Sequence, residues 1–317
     1  MTRLLPPRHL VRLSLLLACG LISLSKAGAE PPRVIVLGTA QDGGYPQAGC
    51  QKSCCKRAWD APELRRFVSC VGIIDPDSGE RWLLDCTPDF RDQLRLIDQA
   101  EPSHAGKPLT GIFPTHAHVG HYGGLLQLGR EVMGAPGIPV YCMPRMEAFL
   151  KTNGPWDQLV TLSQIRIHPI RAGGKVQLNQ RLSLIVIPVP HRDEYSETVA
   201  FQVQGPSHSF LYLPDIDKWD RWDVSINSVV SKVDLAFLDA TFFDDNELPG
   251  RDMSQIPHPF ITETMQRFKS ESESERSKIH FIHLNHSNPA LDPNSEAAKT
   301  IEAAGFRLAK QGQAFEL

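Results

Sequence analysis

The chain has 317 residues, of which 41% are hydrophobic and 22% are charged, and its formal net charge is −3 at pH 7. This is the composition of an ordinary globular protein, with room for one large domain or two small ones. The net charge is mildly acidic, whereas nucleic-acid-binding proteins usually carry an excess of basic residues. We therefore expect a small-molecule substrate and no nucleic acid partner.

The first 29 residues have the features of a secretory signal. Arg3, Arg8 and Arg12 precede an apolar run, LSLLLACGLISL, and the small residues AGA come just before Glu30. The run is about a dozen residues long, too short to cross a bilayer comfortably as a helix, although an uncleaved membrane anchor is the alternative. We therefore predict a signal peptide at residues 1–29, a single domain at residues 30–317, a periplasmic or secreted location and no stable membrane span after cleavage. Cleavage would change the net charge to −7, with 29 basic residues against 36 acidic ones.

Short strands and helical segments alternate along the rest of the chain. Segments rich in β-branched residues predict strands at residues 33–39, 69–75, 81–86, 110–116, 138–142, 182–190, 198–203, 209–215, 235–241 and 279–285. Helical patterns lie between them in PDFRDQLRLIDQA, VGHYGGLLQLGREVM, MEAFLKTN, PFITETMQRF and NSEAAKTIEAAG. Too many strands are joined by short turns for a doubly wound parallel sheet. The order favours an α+β fold, a four-layer αββα sandwich in which helices flank two packed sheets.

Three histidines stand within six residues in the stretch FPTHAHVGHYGGL, namely His116, His118 and His121. Imidazole is a common ligand for zinc and iron, and a loop at the end of an apolar strand can aim all three rings inward. Gly123 and Gly124 allow other backbone to come close behind the cluster. Three surface histidines in a polar loop are the alternative, but the strand before and the helix after favour a metal site.

Three further potential ligands lie at the ends of apolar strands. His191 follows LSLIVIPVP, Asp215 follows SFLYLP, and His283 lies in IHFIHLN. A single histidine or aspartate at a strand end is more often structural, but recurrence at four strand ends favours one common site. If these strands run in the same direction, their ends lie at one edge of the sandwich.

The order of these residues resembles that of the metallo-β-lactamase superfamily, and the match covers most of residues 33–317. The resemblance implies a metallo-β-lactamase-like fold with two metal positions. The implied ligands are His116, His118 and His191 for a first ion, His121 and His283 for a second, and Asp215 between the two. The stretches LGTAQDGGYPQAGC, LLDCTPDFRDQL and HLNHSNP resemble a subgroup that contains pyrroloquinoline quinone biosynthesis protein B and the phosphoribosyl cyclic phosphodiesterase of phosphonate degradation.

The chain departs from both patterns at the histidine motif. The superfamily has an aspartate before the third histidine, where this chain has Gly120, and the quinone biosynthesis protein lacks the first two histidines, here His116 and His118. That aspartate normally gives the second metal ion a carboxylate ligand. Without it we expect one tightly bound Zn²⁺ and a second that is weak or absent. Iron is the alternative metal, because histidines with one carboxylate and open positions also suit non-haem iron.

The cysteines near the N-terminus allow two interpretations. Three of the six cysteines after residue 29 crowd into CQKSCC, and in an exported protein a disulfide is the first expectation. The resemblance to the cyclic phosphodiesterases implies instead a structural zinc site held by Cys50, Cys54, Cys55 and His286, with His286 three residues after His283. Such a Cys₃His site would fasten the N-terminal loop to the last strand. The alternative to the zinc site is a disulfide or free thiols, and the two interpretations exclude each other.

Two residues are expected to act in catalysis. Asp215 would bridge the metal ions, and His258, in the stretch SQIPHPF, occupies a region where relatives place a histidine near the substrate. Asp85 ends an apolar strand and is expected to orient a metal-binding histidine. Asp42 and Asp89 are expected only to hydrogen-bond loops near the site.

Three functions are compatible with these residues. The first is an exported hydrolase, in which zinc lowers the pKa of bound water to about 7 and the hydroxide attacks a phosphodiester or ester-like bond. The second is an oxidative iron enzyme or factor resembling pyrroloquinoline quinone biosynthesis protein B, although the export signal counts against it. The third is a metal-binding protein without catalysis, which Gly120 favours. We predict the hydrolase; the sequence leaves the oligomeric state open.

Overall fold

The structure is a computed structural model that describes residues 1–2, 29–102 and 108–317. The predicted signal peptide lies almost entirely outside the described residues. Within the described ranges, no helix is both long and apolar enough to cross a membrane.

Strands and helices alternate along most of the described chain. Its strands are β1 (Arg33–Gly38), β2 (Cys70–Asp75), β3 (Glu80–Leu84), β4 (Gly111–Phe113), β5 (Ile138–Cys142), β6 (Ile165–Pro169), β7 (Lys175–Gln177), β8 (Ser183–Pro188), β9 (Val199–Gln204), β10 (Ser209–Leu213), β11 (Leu235–Asp239), β12 (Ile279–Ile282), β13 (Arg307–Leu308) and β14 (Ala314–Glu316). Its α-helices are α1 (Ser53–Asp60), α2 (Phe90–Ala100), α3 (Val119–Tyr122), α4 (Pro144–Thr152), α5 (Trp156–Thr161), α6 (Ile226–Val230), α7 (Ile261–Arg267), α8 (Glu273–Arg276) and α9 (Glu296–Ala303). Short 3₁₀ helices lie at Pro62–Leu64, Gly123–Leu128, Trp219–Arg221, Met253–Gln255 and Pro289–Leu291.

Within the described residues, the strands form two seven-stranded sheets, ordered β14-β1-β2-β3-β4-β5-β6 and β13-β12-β11-β10-β9-β8-β7. In the first sheet, β14, β1, β2 and β3 pair antiparallel, whereas β3 to β6 are parallel neighbours. In the second, β7 to β10 pair antiparallel and β10 to β13 are parallel. Both sheets are therefore mixed, and the two halves of the chain follow the same plan.

Both faces of each sheet are buried, and alternate side chains serve different layers. In β1, Val34 and Val36 pack into the core between the two sheets, whereas Ile35 and Leu37 pack under the helices that cover the first sheet. A third apolar cluster joins the outer face of the second sheet to α6, α7 and α9. The predicted four-layer αββα sandwich is confirmed.

The strands that lead into the predicted site share one direction within each sheet. In the first sheet β1, β3 and β4 run the same way, because β1 and β3 each pair antiparallel with β2 and β4 is parallel to β3. In the second sheet β8, β10, β11 and β12 run the same way for the same reason. Ala40, after β1, forms a parallel bridge with Leu284, after β12, so the carboxyl ends of both sets of strands meet at one edge of the sandwich, as the positions of the histidines predict.

The sequence predicts one long helix after the histidine motif, and this prediction is wrong. The α-helix there comprises only Val119–Tyr122, and a 3₁₀ helix follows at Gly123–Leu128. Gly124 N donates to Cys86 O at 2.9 Å, and Cys86 N donates to His121 O at 2.9 Å, so this backbone pairs with the loop after β3 instead of continuing a helix. A Cβ on Gly124 would collide with the backbone of that loop. The close approach fixes His121 in place.

Candidate metal centre

Three histidines and one aspartate come together in a first cluster. One ligand atom from each of His116, His118, His191 and Asp215 lies within 4.8 Å of all the others. His116 Nε2 lies 2.8 Å from His118 Nδ1 and 3.4 Å from Asp215 Oδ2, and His191 Nε2 lies 3.5 Å from Asp215 Oδ1. Ligand atoms at zinc distances of about 2.0–2.1 Å are about 3.3 Å apart in a tetrahedral site. The cluster therefore has dimensions close to those of a zinc site.

A second group shares Asp215 with the first. His121 Nε2 and His283 Nε2 lie 3.3 and 3.5 Å from Asp215 Oδ2. The same two histidines form a group with Asp42, in which all ligand atoms lie within 4.8 Å of one another. Asp215 thus lies between the two groups of histidines.

Asp85 holds His121 from behind, as the sequence predicts. Its Oδ2 lies 2.7 Å from His121 Nδ1 and accepts a hydrogen bond from Tyr212 OH at 3.0 Å. Its Oδ1 accepts from the backbone N–H and the hydroxyl of Thr115, at 2.7 and 2.9 Å. Asp85 has φ 68°, a left-handed conformation that few non-glycine residues adopt. These contacts direct His121 Nε2 toward Asp215.

The rings of His191 and His283 are oriented in the same way. Asp217 Oδ1 lies 3.2 Å from His191 Nδ1, and Thr241 Oγ1 lies 3.0 Å from His283 Nδ1. His283 also has a left-handed backbone, with φ 68°. Outer contacts of this kind fix the tautomer and the direction of a metal-binding histidine. In both rings the Nε2 atom is the one that faces the centre.

The buried polar atoms at this centre fit a divalent metal ion. Among the described residues, no hydrogen-bond partner is present for His121 Nε2, His191 Nε2 or His283 Nε2, and Asp215 Oδ1 has an ion-pair contact with His258 Nδ1 at 3.1 Å. Their side chains are at most 2% exposed. An unsatisfied buried polar atom costs about 1–3 kcal/mol, and a cation that accepts their lone pairs would remove the cost at the three ring nitrogens.

The protonation states of the centre also suit a metal ion. Burial alone would raise the pKa of Asp215, but His191 and His283 outweigh it and hold this pKa well below its ordinary value. Burial lowers the pKa of His116 well below its usual value, and the neighbouring His121 lowers it further. Asp215 is therefore an anion and His116 a neutral ring at pH 7, which are the forms that bind metal ions.

His258 lies beside the first cluster with a second carboxylate behind it. Its Nδ1 lies 2.9 Å from Asp239 Oδ2 and 3.1 Å from Asp215 Oδ1. Burial lowers the pKa of His258, but the two carboxylates outweigh it and raise this pKa to about 10. Asp239 is itself fixed by Thr241, whose backbone N–H and hydroxyl donate to its Oδ1. Because Asp239 holds Nδ1, Nε2 is the nitrogen from which the ring can donate a proton.

Three carboxylates that the structure brings to the centre are not among the predicted ligands or catalytic residues, although the sequence analysis expects Asp42 to hydrogen-bond a loop near the site. Asp239 is the last residue of β11, and Asp217 follows Asp215 by two positions. Asp42 follows β1, which ends at the same edge as the other site strands. The strand-end rule that identifies Asp215 would also have identified Asp239, the last residue of β11, but not Asp42, which lies beyond the end of β1 at Gly38.

The cysteine cluster is assembled as the zinc interpretation requires. Cys50 Sγ lies 3.8 Å from Cys54 Sγ, and His286 Nδ1 lies 3.7 Å from Cys54 Sγ and 3.3 Å from Cys55 Sγ. Two sulfurs about 2.3 Å from a tetrahedral zinc are about 3.8 Å apart, whereas a disulfide requires about 2.05 Å. None of the cysteines in the described ranges forms a disulfide. Burial raises the pKa of Cys55 to about 12, so a metal ion must displace this proton in order to bind the thiolate.

Comparison with protein families identifies one match across most of the chain. The family described as the beta-lactamase superfamily domain matches residues 80–281. Coenzyme PQQ synthesis protein B of Xanthomonas campestris pv. campestris (strain B100) is 25% identical over 303 residues, which cover 88% of this chain and 98% of the relative. The protein of the same name from Methylobacterium nodulans is 27% identical over 317 residues, with 90% and 100% covered.

Solved structures share the fold over nearly their whole length. Zinc-bound PqqB from Methylobacterium extorquens has a TM-score of 0.75 and 22% sequence identity, covering 90% of this chain and 100% of that one. A diphosphatase from the PhnP family has a TM-score of 0.63 and 21% identity, covering 91% and 98%. At these identities the likeness establishes the metallo-β-lactamase fold, which the resemblance in the sequence implies.

We expect the cysteine cluster to hold one zinc ion. His286→Ala should remove one equivalent of zinc from the purified protein and lower its melting temperature by about 5 °C or more, because the loop loses its attachment to the end of β12. His208→Ala, at an exposed histidine, is the matched control and should keep the zinc. In the unaltered protein, the cluster thiols should resist iodoacetamide until a chelator is added. Thiols that become reactive only after reduction would show a disulfide instead.

Proposed function

The chain belongs to the beta-lactamase superfamily, and on this premise we propose that it is a metal-dependent hydrolase that cleaves a phosphodiester or similar ester bond. The observation that carries the proposal is the group of buried ring nitrogen atoms around Asp215 that lack hydrogen-bond partners among the described residues. The same fold occurs in a diphosphatase. A donor set of imidazoles and one carboxylate, with open positions, is suited to hydrolysis by a bound metal ion.

The ligands of the proposed centre follow from the two groups that share Asp215. His116, His118, His191 and Asp215 would hold a first zinc ion, and His121, His283 and Asp215 would hold a second. Bound zinc lowers the pKa of a water ligand to about 7 and polarises the oxygen of the ester. The protein supplies an anionic Asp215 and rings whose direction is already fixed by Asp85, Asp217 and Thr241.

His258 is the residue that we assign to protonation of the leaving group. Its Nδ1 is hydrogen-bonded to Asp239 at 2.9 Å, so the ring cannot turn and its charged form is stabilised. Its ring centroid lies 5.2 Å from that of His191, a ligand of the first ion. His258 therefore lies beside the proposed first ion, where a proton on its Nε2 would be available to a leaving group.

We also assign the protein to the periplasm or the cell exterior. The support is the sequence of residues 1–29, with a basic start, a short apolar run and the small residues AGA. The domain that would be exported is residues 30–317.

A second candidate function is a role like that of coenzyme PQQ synthesis protein B. It is favoured by relatives of that name that match about nine-tenths of this chain and nearly their own full length. The same histidines and carboxylate would then hold iron for oxidative chemistry. Metal identity and oxygen consumption separate the two functions.

For the hydrolase, we expect the purified protein to contain zinc at the His/Asp centre and to hydrolyse bis(p-nitrophenyl) phosphate. His116→Ala should lower kcat/KM by about 100-fold or more, because the first ion loses a ligand, and metal analysis should show less bound zinc. His208→Ala, at an exposed histidine that belongs to neither ligand group, should change neither value. Bound iron with oxygen uptake would favour the second function. Tight zinc without turnover on a broad panel of esters would exclude hydrolysis.

Proton donation by His258 predicts an effect that depends on the leaving group. His258→Gln should lower kcat by about 10²- to 10⁴-fold on a nucleoside 2′,3′-cyclic phosphate, whose alkoxide needs a proton to leave. The loss on bis(p-nitrophenyl) phosphate should be much smaller, because nitrophenolate leaves without protonation. Asp239→Asn should act in the same direction, with zinc content unchanged in both variants. Equal losses on both substrates would contradict the assignment.

Export predicts that residues 1–29 direct a reporter out of the cytoplasm. Fusion to an alkaline phosphatase without its own signal should give phosphatase activity, since that enzyme becomes active only outside the cytoplasm. Leu16→Arg, within the apolar run, should abolish the activity. N-terminal sequencing of the exported protein should begin at Glu30. Full-length protein retained in the cytoplasm would contradict the assignment.

A further inference from the structure

The carboxylate of Asp42 lies against Gly120, the position where the superfamily motif has its aspartate. We propose that Asp42, supplied by the loop after β1, is the carboxylate ligand of the second metal ion. This inference rests on the proposed metal centre. It changes the expectation from the sequence: the second ion binds tightly despite Gly120.

The position of Asp42 is defined by three contacts. Its Oδ1 accepts a hydrogen bond from Gly120 N at 3.1 Å and lies 3.5 Å from His121 Nε2. With His121 and His283 it forms a group whose ligand atoms lie within 4.8 Å of one another. The separation from His121 Nε2 is close to the distance of about 3.3 Å between two ligands of one tetrahedral zinc ion.

Gly120 and Asp42 compete for one space. A Cβ on Gly120 would lie 2.6 Å from Asp42 Cα and 2.9 Å from Asp42 Cγ, closer than carbon atoms approach in folded proteins, and closer still to Oδ1. The absence of a side chain at position 120 is therefore the condition under which Asp42 reaches His121. The two positions are complementary: the carboxylate comes from one or from the other.

Backbone pairing holds the loop that carries Asp42 to the strand end that carries His283. Ala40 forms a parallel bridge with Leu284, the residue after His283. Gln41 N donates to Leu284 O at 2.9 Å, and Leu284 N donates to Thr39 O at 2.9 Å. Asp42 follows directly, and its Oδ2 accepts from the side chain of Gln41 at 3.1 Å. The same hydrogen bonds that close the sheets at this edge therefore bring Asp42 next to His283.

Asp42 adds a negative charge that the second group, formed by His121, His283 and a share of Asp215, otherwise lacks. His121 Nε2 and His283 Nε2 are buried and have no hydrogen-bond partner in the described part of the chain. Two neutral imidazoles and a share of Asp215 would offer a divalent cation less than one full negative charge. Asp42, whose side chain is 21% exposed, adds a carboxylate that needs little further desolvation to bind the ion.

A purely structural role for Asp42 is the competing explanation, because its Oδ1 accepts a hydrogen bond at the start of α3. Asp42→Asn separates the two roles, since asparagine keeps an acceptor oxygen of the same shape but loses the charge. We expect this variant to fold normally and to bind the second ion more than about 100-fold more weakly, beyond the usual effect of losing an outer contact. Asp92→Asn, at a half-exposed aspartate of α2 that lies outside both ligand groups, controls for the change in net charge.

Gly120→Ala tests the same inference without touching a ligand. The added Cβ must push Asp42 away, so the affinity for the second ion should fall as it does in Asp42→Asn. Gly123→Ala is the matched control in the same segment. Its Cβ would meet only Val119 Cγ2 at 3.3 Å and Pro88 Cγ at 3.6 Å, which small movements of those side chains accommodate. This control should keep the second ion.

The measurement is zinc affinity by chelator competition, with cobalt(II) absorption to assign the ion that is lost. Thiolate charge-transfer bands belong to the cysteine cluster and should be unchanged in every variant, which also shows that the fold is intact. Loss of one non-thiolate ion from Asp42→Asn and Gly120→Ala supports the inference, even if the protein hydrolyses no ester. The inference is overturned if Asp42→Asn binds the second ion with unchanged affinity, or if the wild-type centre binds only one ion. Either result counts against it even if the protein is a hydrolase.

Discussion

Asp215 is a buried carboxylate that lies 3.1 to 3.5 Å from the ring nitrogens of five histidines. So many imidazoles in one place cannot all carry a proton, because like charges in a buried site repel one another. Without a metal ion, the charge of Asp215 is balanced by the rings whose pKa lies above the ordinary range, His121 and His258. A cation at the centre would take over this balance from the proton on His121, so binding of the ion and release of the proton are one event.

The side chains of the centre meet at one edge of the sandwich because strands of both sheets end there. Asp85 and His116 follow strands of the first sheet, whereas Asp215, Asp239 and His283 end or follow strands of the second. Each sheet is anchored by apolar side chains on both of its faces, so the strand ends are rigid supports for the ligands. The left-handed backbone of Asp85 and His283 is tolerated because the surrounding packing fixes it, and it turns both side chains into the centre.

The strands of the site and the ligands at their ends could be predicted from the sequence, because each is indicated by neighbouring residues. An apolar strand followed at once by His191, Asp215 or His283 defines both the element and the direction of the ligand. The length of the helix after the histidine motif could not be predicted, because its end is set by hydrogen bonds to the loop after β3, which is remote in sequence. The place of Asp42 depends in the same way on pairing between Ala40 and Leu284, more than 240 residues apart in the numbering of the chain. No sequence pattern near Asp42 indicates the pairing between Ala40 and Leu284.

The loop after β1 joins the two proposed metal sites. It carries Asp42 near one end and Cys50 near the other, where α1 follows with Cys54 and Cys55, and the turn after β12 carries His283 and His286 three residues apart. Both sites therefore connect the same two segments of the chain. A zinc ion between the cysteines and His286 would limit the movement of the loop at the far end from Asp42. A ligand on a flexible loop normally binds weakly, because the loop loses conformational entropy when the ion binds. A loop that is already held at its far end by zinc would lose less entropy when Asp42 binds the ion. On this argument, the cysteine cluster is part of what allows glycine to replace the aspartate of the motif.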